Sequence, residues 1–186
     1  MIRFSLAFNC TRRLRSQILL GLLFFFLLPS ASIASGLSTS AEYIVGFLHY
    51  VSWPNSDAQS DWQVCVVGNP APDPSNAYGS KLVHDRRIST RPIDSDKSLT
   101  GCDVLDLTSA GEEGAKDLVQ RARHLPILTV GSGRLFCTSG GMICLLTKGN
   151  DHTFEVNLSA VRGARLNVSA RLLTLGENTE TREGQP

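Results

Sequence analysis

Residues 101–130 read GCDVLDLTSAGEEGAKDLVQRARHLPILTV, and the fold class follows from this stretch. Cys102–Leu107 is a short, mostly apolar run of strand length. Glu112–Arg123 puts Ala115, Leu118, Val119 and Ala122 at helical spacing, which reads as one apolar helix face. Pro126–Val130 is a second apolar run of strand length. A strand, a helix and a strand at these spacings imply parallel pairing through a right-handed crossover.

The pattern extends in both directions. Upstream, Gln63–Val67 reads as a strand ending at the turn cluster Gly68-Asn69-Pro70. Pro74–Val83 reads as a short helix weakened by Gly79, and Arg86–Arg91 as an alternating strand closed by Pro92. Further back, Thr39-Ser40-Ala41-Glu42 fits a capping box. Ile44, Phe47, Leu48 and Val51 follow on one helical stripe, and Pro54 stops that helix after Trp53. Asn55–Asp61 is a polar loop. Downstream, Met142–Thr147 and Thr153–Leu158 form an antiparallel hairpin across Lys148-Gly149-Asn150-Asp151. A short helix at Ser159–Ala164, a strand at Leu166–Ser169 and a last helical turn to Leu175 complete the chain. The expectation is an α/β fold: a single three-layer domain, with a mixed, mostly parallel β-sheet flanked by helices and a C-terminal antiparallel hairpin.

The first 34 residues read as an export signal. Arg3, Arg12, Arg13 and Arg15 form a positive n-region, Ile18–Leu28 is unbroken and apolar, and Ser32-Ile33-Ala34 supplies small residues for cleavage after Ala34. The apolar run is shorter than the ~20 residues a membrane-spanning helix needs. A mature chain starting at Ser35 is therefore expected in the periplasm, as an α/β domain over 35–176 with a disordered tail over 177–186. That tail carries no apolar side chain.

Charge and cysteine usage narrow the options. The chain has 18 Lys+Arg against 17 Asp+Glu, and the four signal-region arginines account for its slight positive excess. The remainder is mildly acidic with no basic run, which excludes a nucleic-acid footprint. Beyond Cys10 the cysteines are Cys65, Cys102, Cys137 and Cys144, an even set suited to an oxidising compartment. Three pairings are open. Adjacent parallel strands favour Cys65–Cys102, and a fold-back loop through Gly140-Gly141 favours Cys137–Cys144.

No catalytic signature is present. The four histidines His49, His84, His124 and His152 lack metal-ligand spacing in sequence, so no metal is expected. Gly131-Ser132-Gly133 is a turn without a phosphate-binding motif, and no nucleophile elbow occurs. Asp103 and Asp106 read as a strand end and a turn acceptor. Arg162, Arg165 and Arg171 cluster near the C-terminus and could engage acidic groups on a ligand or partner. Trp53, beside Pro54, is a core plug or an interface anchor. No enzyme and no cofactor follow from this inventory.

Taken in order, several segments resemble one family. They are Tyr50-Val51-Ser52-Trp53-Pro54, Val64-Cys65-Val66-Val67-Gly68-Asn69, Gly101-Cys102-Asp103-Val104-Leu105 and Ile127-Leu128-Thr129-Val130. Gly140-Gly141-Met142-Ile143-Cys144-Leu145, Phe154-Glu155-Val156-Asn157-Leu158 and Arg171-Leu172-Leu173 complete the series. The chain is similar over Glu42–Leu175 to the YfiR family of periplasmic proteins. That resemblance implies an exported, non-enzymatic repressor of an inner-membrane diguanylate cyclase, acting on its periplasmic region to lower cyclic di-GMP and biofilm formation. It also implies a homodimer with the disulfide pairing given above. The competing expectation from the residues is a small-ligand sensor acting on a histidine kinase or transporter.

Overall fold

The computed structural model describes residues 36–54, 60–68, 78–79, 81–94, 98–149 and 151–178. The expected export signal, most of the loop expected over 55–61, residues 74–77 of the expected helix and the part of the expected tail beyond Asn178 lie outside them.

Helix α1 (Gly36–Leu48) is followed by strands β1 (Val51–Ser52), β2 (Trp62–Val67), β3 (Leu82–Val83), β4 (Arg86–Ile93) and β5 (Val104–Asp106). Helix α2 (Glu112–Ala122), strand β6 (Leu128–Ser132) and the short α3 (Arg134–Thr138) come next. The chain then forms β7 (Ile143–Lys148), β8 (Asp151–Val156), α4 (Leu158–Gly163), β9 (Asn167–Val168), α5 (Ala170–Leu175) and β10 (Glu177–Asn178). The main sheet runs β10-β8-β7-β6-β5-β2-β4-β3. Strands β4, β2, β5, β6 and β7 are mutually parallel. The β7–β8 hairpin is antiparallel, with Ile143 opposite Val156.

Side-chain alternation covers both faces of this sheet. Val64, Val66, Val104, Val130 and Ile143 point into a layer with Ile44 and Phe47 of α1, Val161 of α4 and Leu172 of α5. Cys65, Val67, Leu105 and Cys144 point the other way, onto Leu118 and Val119 of α2 and Phe136 of α3. Parallel strands need such cover on both faces, and the apolar runs read from sequence reflect it. Ala115, Leu118, Val119 and Ala122 form the buried face of α2, as their spacing requires. The α/β class and the three-layer arrangement expected from sequence are therefore present.

Several boundaries differ, each for a physical reason. Helix α1 starts at Gly36, before the expected capping box, and ends at Leu48 rather than Trp53. Its last turn tightens through His49 N–H to Gly46 (3.1 Å) and Tyr50 N–H to Phe47 (2.9 Å). The chain then leaves as β1, which pairs antiparallel with β9, Val51 facing Val168. Tertiary pairing thus overrides the helical stripe, and Leu166–Ser169 contributes to this small second sheet instead of the main one. Leu82–Val83, expected in a helix, is a strand against Arg86–Arg87. Pro92 does not end its strand, because β3 covers only the start of β4 and its outer edge near Pro92 has no ladder partner among the described residues. Glu177–Asn178, expected in the tail, pair with Glu155–Val156 of β8. Helix α3 was not expected at all.

Candidate partner-binding surface

Two disulfides brace the α2 face. Cys65–Cys102 and Cys137–Cys144 each have Cα atoms 5.7 Å apart, and these are the pairs that strand adjacency and the fold-back loop through Gly140-Gly141 respectively favoured. The first joins β2 to the residue entering β5. The Arg91 side chain lies over it, Nη2 being 3.4 Å and 3.3 Å from the two sulfurs while donating to the Thr100 carbonyl. The second ties α3 to β7. All four cysteines are buried and bonded, so they offer neither a nucleophilic thiol nor a metal-binding thiolate.

Helix α3 is held by more than its disulfide. The Arg134 guanidinium meets the buried Glu155 carboxylate at 2.7 Å. Asn157 caps α4 through Ala160 N–H while its amide donates to the Cys137 carbonyl. The Phe136 ring fits between Gly131 and Gly141, where a Cβ would come within 2.4 Å and 2.2 Å of it. Those two glycines therefore exist for close approach, and Gly131-Ser132 is strand rather than turn. The result is a rigid shelf that leaves Leu135 67% exposed beside a cleft of about 440 Å³.

On the opposite face, α1, β8 and α5 enclose a groove of about 520 Å³. Tyr43, Phe47 and Tyr50 line one wall, Phe154 the floor and Leu172 and Leu175 the other wall. Phe47 and Phe154 meet edge to face at 5.0 Å, and Tyr43 meets Phe154 likewise at 6.1 Å. The Tyr43 hydroxyl donates to the His152 carbonyl at 2.9 Å, fixing α1 to the hairpin. Gly176 lets the end of α5 cross the Phe154 ring, since a Cβ there would approach within 2.3 Å of it. Leu175 is 60% exposed at the mouth. Aromatic rings with an exposed apolar neighbour are the composition of a protein-contact surface.

The residues singled out from sequence are distributed over three places. Arg171 stands 6.0 Å over the Tyr50 ring and so belongs to the groove rim. Arg162 and Arg165 are exposed at α4 and its end and do not line the groove. Trp53 packs instead on Trp62, ring centres 4.8 Å apart, and Arg86 covers the far ring at 3.6 Å. The groove itself escaped the sequence reading. Tyr43, Phe47 and Tyr50 recur at helical spacing, the two tyrosines flanking Phe47 of the apolar stripe, and that aromatic row was its available signal.

Buried polar groups serve the fold. Asp106 accepts from the Thr108 hydroxyl (2.7 Å) and N–H (3.0 Å) and from the Tyr78 hydroxyl (3.1 Å). Burial raises its carboxyl above the usual carboxylate range despite these donors. Burial also pushes the Tyr78 phenol upward, aided by the Asp106 charge. Asp103 is raised by burial too, against the lowering effects of the Gln63 N–H and Arg86. Among the described residues, no group of three or more His, Cys, Asp or Glu could hold a metal ion. No helix among them is long and apolar enough to cross a membrane.

These features define an α/β domain stapled on one face and carrying an aromatic groove on the other. The YfiR/HmsC-like family model matches residues 38–177, and the chain belongs to that family.

Proposed function

We propose that this chain is a periplasmic, non-enzymatic regulator that binds the extracytoplasmic region of an inner-membrane diguanylate cyclase and holds it inactive. Family membership over residues 38–177 is the observation that carries this reading. The two buried disulfides fit an oxidising compartment. Binding restrains the receptor by favouring one of its conformations, with a force limited to the difference in affinity between the two states. The groove between α1 and α5 is the surface assigned to this contact, Leu175 and Tyr50 being its apolar anchors and Arg171 its polar rim. A homodimer is part of the proposal.

Deleting the gene is expected to raise cyclic di-GMP, and restoring the wild-type chain to lower it. Leu175→Glu and Tyr50→Ala should fail to restore low cyclic di-GMP while accumulating to wild-type amounts in the periplasm. Crosslinking in intact cells should capture a membrane cyclase with the wild-type chain and not with these variants. Unchanged cyclic di-GMP in the deletion strain under several growth conditions is the result that defeats the proposal.

One observation favours a second reading. The cleft beside Leu135 sits at the carboxyl ends of β5 and β6, where α/β sheets receive small ligands. A metabolite-dependent rise in melting temperature, removed by Val119→Trp, is the expected mark of a ligand sensor.

A further inference from the structure

His49 and His84 are far apart in the chain, yet their rings meet at 5.4 Å between centres with planes 66° apart. His49 ends the tightened turn after α1, its N–H bonded to Gly46. His84 and Asp85 are the whole loop between β3 and β4, because Val83 pairs directly with Arg86. Both loop residues have left-handed backbones, φ 52° and 61°. A two-residue hairpin of this kind is usually built from Asn-Gly or Asp-Gly, which adopt that conformation at least cost. Here a histidine with a full side chain occupies the first place, and backbone strain of this sort collects at ligand clamps and switches.

We propose that His49 and His84 form a surface site for a divalent transition-metal ion that prefers imidazole, copper(II) most tightly and zinc more weakly. Two imidazoles on one ion, with metal–nitrogen bonds of about 2.0–2.1 Å, stand with ring centres about 5 Å apart on tetrahedral zinc and about 4.5 Å apart at neighbouring positions of tetragonal copper(II). The observed separation of 5.4 Å between ring centres is close to these values. Both side chains are exposed, so water completes the coordination sphere. The described cysteines are all in disulfides, which removes the thiolates that would otherwise outcompete imidazole for such ions. Sequence spacing could not reveal the pair, because the fold of two separate turns creates it. A bound ion would join the end of α1 to the β3–β4 hairpin and stabilise the folded chain by mass action. This site is independent of the groove and of the regulatory reading.

The test uses the untagged, oxidised chain purified from the periplasm, titrated with copper(II) by calorimetry. His49→Gln and His84→Asn are each expected to weaken binding at least tenfold, asparagine being chosen because it tolerates a left-handed backbone. His124→Gln and His152→Gln should bind as wild type does. Electron paramagnetic resonance should show two coupled imidazole nitrogens in wild type and one in either site variant. Zinc added to the wild-type chain should shift the His49 and His84 ring resonances together and leave those of His124 and His152 in place, a readout that needs no variant. Unchanged affinity in either site variant, a single-nitrogen spectrum in wild type, or zinc shifts centred on another histidine overturns the proposal.

Discussion

Trp53 and Trp62 stack with ring centres 4.8 Å apart, but among the described residues only one of the two indoles has a hydrogen-bond acceptor. Trp62 Nε1 donates to the Val83 carbonyl at 3.0 Å. Trp53 Nε1 is buried with no acceptor among the described residues. An orphaned buried donor costs about 1–3 kcal/mol, whereas a satisfied one contributes about 1 kcal/mol. Trp53→Phe is therefore expected to change stability by less than about 0.5 kcal/mol, lost contact area being offset by removal of the orphan. Trp62→Phe should cost about 2 kcal/mol, since it removes the bond to Val83 and weakens the platform under Arg86. Urea midpoints of the two variants decide this. Equal losses would mean that the two indoles are alike in solution.

The two disulfides differ in the length of chain they close. Cys65–Cys102 spans 37 residues and Cys137–Cys144 spans 7. Chain-entropy estimates give about 4 kcal/mol for the first and about 2.5 kcal/mol for the second. Replacing each pair by alanine should reproduce that order in denaturant melts. All four cysteines are buried, so both bonds should resist mild reductant in the folded chain and yield once urea opens it. Rapid reduction of either bond under native conditions would contradict the burial.

Phe136 is packed against backbone on two sides, and that packing can be tested apart from the disulfide beside it. Gly141→Ala would place a methyl 2.2 Å from the ring, so ring or backbone must move. The expected cost is about 2 kcal/mol. Combining it with Phe136→Leu should recover part of the loss, giving a coupling energy of about 1 kcal/mol in a double-mutant cycle. Additive losses would show that the ring already has room to move aside.

The parallel core was legible because its signals are local and redundant. The run Val104–Asp106, the four apolar positions of α2 and the run ending at Val130 each state their structure within a few residues. Cys65 and Cys102 could be paired because strand order follows from that core. What was hidden depends on contacts between distant segments. Val51–Ser52 carries a helical pattern but is drawn into a ladder with Asn167–Val168, and tertiary pairing outweighs a weak propensity. Helix α3 is too short to display a period, and its stability comes from Cys144, Glu155 and the two glycines around Phe136. The groove joins α1, β8 and α5, so no single stretch contains it. Arg162, Arg165 and Arg171 looked alike as a cluster, yet Arg171 stands over the Tyr50 ring at the groove while Arg162 and Arg165 are exposed at α4 and its end and do not line it.

Asp106 gives a pH dependence whose sign can be worked out. Its folded carboxyl is raised above the ordinary value of about 3.9 by burial, which outweighs the three donated hydrogen bonds. Between those two values the folded chain holds a proton that the unfolded chain has released. Stability then falls as pH rises through that window, by up to about 1.4 kcal/mol per pH unit. Asp106→Asn removes the titration while keeping the contacts. Its carbonyl oxygen accepts from Thr108, and its amide donates to the Tyr78 hydroxyl, which can act as acceptor. The free energy of unfolding of wild type minus that of the variant should therefore decrease as pH rises above about 4 and level off once the folded carboxyl has ionised. Taking the difference cancels the other carboxyls, including Asp103, whose raised value has the same sign. Denaturant melts of both proteins across this range provide the measurement. Parallel stability curves would place Asp106 at an ordinary carboxylate pKa, and burial would then not govern its charge.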